Sequence, residues 1–189
     1  MLLIGKKIVF GLTSAQYTFK KTIPQIEKLI TEGAEVFPVM SYEAYNIDTK
    51  YGKSVDFVKQ IEDITLKKVV HTNKEIENTV EADLMVICPC SGNAISKIST
   101  GIMDTPILKA AKNILRKDKC LVLGIATQDG LSTNAENIGK LLNRKNMYFI
   151  PFRQDNPITK PRSLAFEPNY ILDTIIYVLK KEQIQPILI

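Results

Sequence analysis

The chain has 189 residues, of which 45% are hydrophobic and 24% charged, and it carries a formal charge of +5. A chain of this length buries about 70% of the surface it exposes when unfolded, so one domain with a full core is expected and extended disorder is excluded. The basic excess is dispersed in runs of at most two, such as Lys20-Lys21 and Lys67-Lys68, without the dense basic stripe and interleaved aromatics of a nucleic-acid binder.

Short apolar strands alternate with amphipathic helices along the sequence. Lys7–Leu12 reads as the first strand and ends in Gly11-Leu12-Thr13-Ser14-Ala15. Ile23, Ile26, Leu29 and Ile30 then recur at helical spacing until Glu32-Gly33. Pro24 lies in that pattern, so the helix starts near Thr22 or kinks there. Glu35–Met40 is the second strand, followed by a polar stretch over 41–53. Ser54 is the expected cap of a helix with Val55, Val58, Ile61 and Ile64 inward, and a short strand is expected at 68–71. Residues 84–88 and 121–125 are unbroken apolar runs of the kind that fill parallel sheets. A helix over 136–143, a sixth strand over 147–152 and a last helix over 169–181 complete the pattern. The alternation predicts one α/β domain over 1–189, a three-layer doubly wound parallel sheet of about six strands.

Cys88, Cys90 and Cys120 sit in or beside the apolar runs. Their odd number fits reduced thiols in a cytoplasmic protein rather than a disulfide framework. Cys88-Pro89-Cys90 has the wrong spacing for zinc and His71 is the sole histidine, so no metal site is expected. No stretch approaches eighteen apolar residues, and no membrane association is expected.

In a doubly wound sheet, ligands bind beyond the carboxyl ends of the strands, where the strand order reverses. That rule brings 13–16, 41–43, 89–94 and 126–130 to one rim. Thr13, Ser14, Ser41, Ser91, Asn93 and Thr127 supply it with hydrogen-bonding groups. Such turns suit a phosphate at a helix N-terminus, and equally they are ordinary helix caps. Neither Gly-x-Gly-x-x-Gly nor Gly-x-x-x-x-Gly-Lys-Ser/Thr occurs, which argues against a nicotinamide dinucleotide or ATP loop in this chain.

Pro89-Cys90-Ser91-Gly92-Asn93-Ala94-Ile95-Ser96-Lys97-Ile98, followed by Gly101-Ile102-Met103-Asp104, resembles the flavoprotein family of flavin-containing cysteine decarboxylases. Further segments are similar to one branch of that family, the B subunits of dipicolinate synthases. They are Leu12-Thr13, Pro24-Gln25-Ile26-Glu27-Lys28-Leu29, Asp48-Thr49-Lys50-Tyr51-Gly52-Lys53, Tyr148-Phe149-Ile150-Pro151-Phe152, Gln154-Asp155-Asn156-Pro157 and Gln183-Ile184-Gln185-Pro186. The resemblance implies a flavodoxin-like (Rossmann-like) fold, a homo-oligomer, and FMN as cofactor. It also implies a partner, the dehydrogenase-like A subunit of dipicolinate synthase carrying NAD(P), and a cyclic precursor oxidised to dipicolinic acid in sporulation. Carried over, Gly11, Thr13 and Ser14 would approach the FMN phosphate and Ser41 the phosphate or ribityl chain. Ser91 and Asn93 would lie beside the flavin, with Pro89 shaping the turn, and Lys97 matches the motif lysine.

Two departures bear on the chemistry. The decarboxylases place Pro-x-Met-Asn-x-x-Met after their fifth strand, where this chain has Ala126-Thr127-Gln128-Asp129-Gly130. His71 lies well upstream of Ala82-Asp83, does not match their catalytic histidine, and reads as a polar residue at a strand end. A small dicarboxylate substrate wants cations, ideally bidentate. Lys50, Lys53, Arg153, Lys160 and Arg162 are candidates beside Lys97, with Arg153 preferred because it follows a strand end. Asp129 is the candidate proton acceptor, and the Pro-rich stretch 151–168 reads as a lid, a docking surface for the A-type partner or a plain surface connection. Two other readings stay open: a stand-alone FMN-dependent decarboxylase or flavin prenyltransferase-like enzyme, and an assembly protein without flavin.

Overall fold

The computed structural model describes residues 1–76 and 81–189. Strand β1 (Lys7–Leu12) has five of its six residues buried. Successive strand side chains point to opposite faces, so Ile8, Phe10 and Leu12 enter one core and Val9 the other. A 3-10 turn at Gln16–Thr18 leads into α1 (Phe19–Thr31), which buries Phe19, Ile23, Ile26 and Leu29 along one stripe. The helix starts before Thr22 and runs through Pro24. It stops at Gly33, whose positive φ of 95° suits glycine.

β2 (Glu35–Met40) pairs with β1 in parallel. The polar stretch after it contains a helix that periodicity does not reveal, α2 (Tyr42–Asn46), capped by Ser41. In α3 (Ser54–Thr65), Ser54 is not the cap. Its N–H and hydroxyl both donate to Asp48 Oδ1, at 2.8 and 3.0 Å. Val55 is exposed, and Phe57, Val58 and Ile61 form the inner face. The strand expected at 68–71 is a single bridge between Val39 and Val70. The Glu62 side chain accepts from the Val69 N–H and pairs with the Lys68 ammonium. A short helix, α4 (Asn73–Ile76), follows.

β3 (Leu84–Ser91) and β4 (Cys120–Thr127) are each longer than their apolar runs. Pro89, Cys90 and Ser91 thus belong to a strand, with a register shift between Ile87 and Cys90. Between these strands lie α5 (Gly92–Thr100) and α6 (Pro106–Arg116), and α7 (Thr133–Leu142) comes after β4. The strand expected over 147–152 is two, β5 (Met147–Phe149) and β6 (Phe152–Gln154). The break falls at Pro151, which has no N–H to offer a ladder. The Pro-rich stretch contains β7 (Leu164–Phe166), antiparallel to β6. A 3-10 turn at Pro168–Tyr170 opens α8 (Ile171–Val178).

The sheet therefore has seven strands in the order β2-β1-β3-β4-β7-β6, with β5 also on β4, and is mixed rather than wholly parallel. One stretch of β4, Leu121 to Leu123, pairs with β5 in parallel, and Ala126-Thr127 pairs with β7 antiparallel. One core packs α1, α3 and α8 on one face, and a second packs α5, α6 and α7 on the other. The C-terminal segment closes the far side. Gln183 accepts from the Phe149 N–H and donates to its carbonyl, both at 2.8 Å, and Phe152 bridges Leu188. Among the described residues no helix is long and apolar enough to cross a membrane, and no His/Cys/Asp/Glu group could hold a metal.

All three cysteines are buried and free. Burial pushes each thiol above its ordinary pKa, most strongly at Cys88 and Cys90. A disulfide-exchange reagent at pH 8 should therefore label no cysteine in the native protein and three in urea. A Cβ on Gly124 would stand 2.6 Å from Cys88 Sγ and 3.1 Å from Ile150 Cδ1. Gly124→Ala should cost about 1–3 kcal/mol by urea unfolding, the penalty of overpacking.

Candidate functional site

The strand order reverses between β1 and β3, and there Thr13 ties the two strand ends together. Its hydroxyl donates to the Pro89 carbonyl at 2.8 Å and accepts from the Ser91 N–H at 3.0 Å. Its own N–H reaches the same carbonyl at 3.3 Å. A hydroxyl has one hydrogen to give. Thr13, 4% exposed, has spent it on the protein and holds the crevice rather than donating to a ligand.

Beyond this joint opens a shallow cleft. Thr13, Ser14, Ser41, Ser91 and Asn93 line it, as the rim argument predicts, and so does Lys97, to which the family resemblance pointed. Glu43, Ala94, Thr105, Ile107 and Leu108 line it too. Three of its hydroxyls are helix caps. Ser41 accepts from the Ala44 N–H at 3.2 Å, Ser91 from Ala94 at 3.5 Å and Thr105 from Leu108 at 3.4 Å. Capping uses an oxygen lone pair, so each O–H stays available to a ligand. The N-termini of α5 and α6 add partial positive charge, and their apolar neighbours Ile107 and Leu108 form a dry wall. Lys97 is paired with Asp104 at 2.7 Å, and hydrogen bonding from Lys97 holds that carboxyl below its ordinary value.

Other predicted site residues lie elsewhere. Gly11 is buried in β1, and a Cβ there would meet Met85 Cε and Ile107 Cγ2 at 3.2 and 3.3 Å. It lets α6 approach the sheet beneath Ile107, which lines the cleft, while Gly11 itself is not in the lining. Pro89 contributes its carbonyl to Thr13. Lys53 is exposed at the start of α3 and is not in the cleft lining. Arg153 does not follow the end of a strand but lies within β6, where it faces Glu167 at 3.4 Å. His71, expected at a strand end, stacks on Tyr45 with ring centroids 3.7 Å apart.

Thr127 and Asp129 turn away from the cleft lining and toward α5 and α7. The Thr127 hydroxyl donates to Asp129 Oδ1, which also accepts from Asn134 Nδ2 at 2.9 Å. Burial pushes the Asp129 pKa upward, but these hydrogen bonds outweigh it and hold the carboxyl below its ordinary value. The group is an ionised anchor, a poor proton acceptor at neutral pH. Gly92, the first residue of α5, packs against it so closely that a Cβ would meet Thr127 Oγ1, Asn134 Nδ2 and Asp129 Oδ1 at 2.5, 2.8 and 3.0 Å. Sequence reasoning missed Thr105, Ile107 and Leu108, although Thr105-Pro106 is a legible helix start, a capping residue before a first-turn proline.

The profile of the Flavoprotein family matches residues 3–178. The chain belongs to that family. The B subunit of dipicolinate synthase from Bacillus subtilis (strain 168) is 40% identical over 188 residues, covering 98% of this chain and 94% of that protein. The crystal structure of the dipicolinate synthase B subunit from Bacillus halodurans superposes with a TM-score of 0.92 at 40% identity, covering 100% of this chain and 98% of that one. The FMN-dependent cysteine decarboxylase SpaF shares the fold, with a TM-score of 0.66 at 14% identity over 95% of this chain and 99% of that one.

Thr13→Val keeps the volume and removes the hydroxyl, leaving the Pro89 carbonyl and Ser91 N–H unsatisfied by a side chain. It should cost about 1–3 kcal/mol in urea unfolding. Gly92→Ala should displace the start of α5 and lower the melting temperature, which a thermal melt would read.

Proposed function

We propose that this chain is the B subunit of a dipicolinate synthase, working with FMN in the β1/β3 cleft and with an NAD(P)-binding A subunit. The full-length likeness to the Bacillus B subunits carries this reading. The cleft's chemistry supports it. A phosphate dianion is best held by hydroxyls and helix N-termini, and Ser14, Ser41, Ser91 and the starts of α5 and α6 meet in one place. FMN bound there would supply a two-electron acceptor for a dihydro-dipicolinate, reached from a hydroxytetrahydro-dipicolinate by loss of water, and aromatisation drives the oxidation.

This chain's own residues then have distinct tasks. Ser41 and Ser91 donate hydrogen bonds while capping α2 and α5. Asn93 presents its amide from the first turn of α5. Lys97 exchanges its Asp104 partner for an anionic ligand. Asp129 positions Gly92 through its contacts with Thr127 and Asn134, and protons are carried by other groups. The protein acts as a homo-oligomer in the mother-cell cytoplasm. The stand-alone decarboxylase or prenyltransferase reading rests on shared fold and on a likeness that covers about half of this chain. Against it, the segment that closes over substrate in the decarboxylases is here turned inward at Thr127 and Asp129.

Two measurements test the proposal. Titrating the purified protein with FMN and following its visible spectrum should show saturable binding, weakened about tenfold or more by a Ser41→Ala/Ser91→Ala double change. The purified A and B subunits with precursor and NADP should form dipicolinate, followed by its absorbance, and omitting either one should stop it. Full activity from the A subunit alone would remove this chain from the catalysis.

A further inference from the structure

The outer face of α6 carries charge that the fold does not explain. Lys109, Lys112 and Arg116 stand three and four residues apart and share one face of the helix. With Asn113, Met103 and Ile76 they border an open groove of about 280 Å³. Among the described residues none of the three cations is ion-paired. Like charges at these spacings repel one another and destabilise a helix. Arg116 gains from the negative end of the dipole in the last turn, but Lys109 lies in the opening turn, where a cation is disfavoured and no acid accompanies it.

The cations expected from the sequence to meet a dicarboxylate are differently placed. Lys97 and Arg153 face Asp104 and Glu167, and Lys53 is in solvent. On α6, three cations without an ion pair among the described residues line one groove. Its groove begins one residue beyond Leu108, the last α6 residue lining the cleft.

We propose that this groove is a carboxylate-binding subsite for the planar dicarboxylate of the proposed reaction; the identity of the ligand rests on that reading of function. Arg116 offers a planar fork that grips one carboxylate in bidentate fashion. Lys109 and Lys112, neighbours on the helix, supply point charges for the other. Met103 supplies a flexible thioether surface for a flat ring between them. A single compact phosphate needs only one such cluster, and the helix N-termini of the cleft already provide for it.

Calorimetric titration of the purified full-length protein tests the idea, with pyridine-2,6-dicarboxylate as probe and pyridine-2-carboxylate and inorganic phosphate as comparisons. The dicarboxylate should bind the unmodified protein and bind at least about tenfold more weakly to Lys109→Gln or to Arg116→Gln. The double variant should lose binding, Lys180→Gln should change nothing, and pyridine-2-carboxylate should bind more weakly than the dicarboxylate. Unchanged FMN affinity in the variants would show that the cleft is intact. The proposal is overturned if the unmodified protein does not bind the dicarboxylate, if the double variant binds it as tightly, or if the α6 variants weaken phosphate binding as much as they weaken dicarboxylate binding. A protein that takes no FMN yet binds the dicarboxylate, and loses it in these variants, would sink the flavin reading and leave this subsite standing.

Discussion

The Thr13 hydroxyl joins the ends of β1 and β3 by giving its hydrogen to Pro89 and taking one from Ser91. The Pro89 carbonyl lies where β3 shifts register against β4, and the Ser91 N–H where the ladder resumes against Ala126. Without a partner they would be costly in a buried place. Satisfying them with a side chain lets the strands part at the top while remaining locked, and the opening becomes the cleft. Ser91 can then face outward as the cap of α5, and Ser14 can sit exposed beside it.

The position of α5 is held from behind as well. Ser96 donates to Asn134 at 2.9 Å, Asn137 donates to Asn134 at 3.0 Å, and Ser99 donates to Asn137 at 2.6 Å. Arg144 closes the other end by donating to the carbonyls of Ile98 and Ser99. Polar networks of this kind rigidify when fully satisfied. The helix whose N-terminus faces the cleft is thereby fixed between Asp129 at its start and Arg144 at its end.

Much of this is legible in the residues. Unbroken apolar runs locate β1, β3 and β4, and the rim rule brings Thr13, Ser41, Ser91 and Asn93 together from strand ends alone. What sequence could not show was direction. Thr127 follows the same strand-end rule as Ser91, yet its hydroxyl points at Asp129 because α7 returns there with Asn134. Arg153 reads as following a strand because 147–152 is apolar, and only Pro151 signals that the ladder breaks. Ser54 has the composition of a cap, but Asp48, six residues earlier, binds its N–H first. The groove on α6 was hidden because its lysines read as a solvated face, and periodicity says nothing about whether a charge finds a partner.

The far edge of the sheet has a further consequence. Gln183 satisfies β5 with a side-chain amide, and the C-terminal residues lie along β6, with the Phe152 N–H donating to Ile187 at 3.0 Å and the Ile189 N–H donating to Phe152 at 3.2 Å. Strand edges left open are templates for pairing between molecules. Here the C-terminal residues cover the backbone edge of β6, so a second molecule could pair with β6 only by displacing them, and side chains rather than bare β6 backbone decide what meets this side.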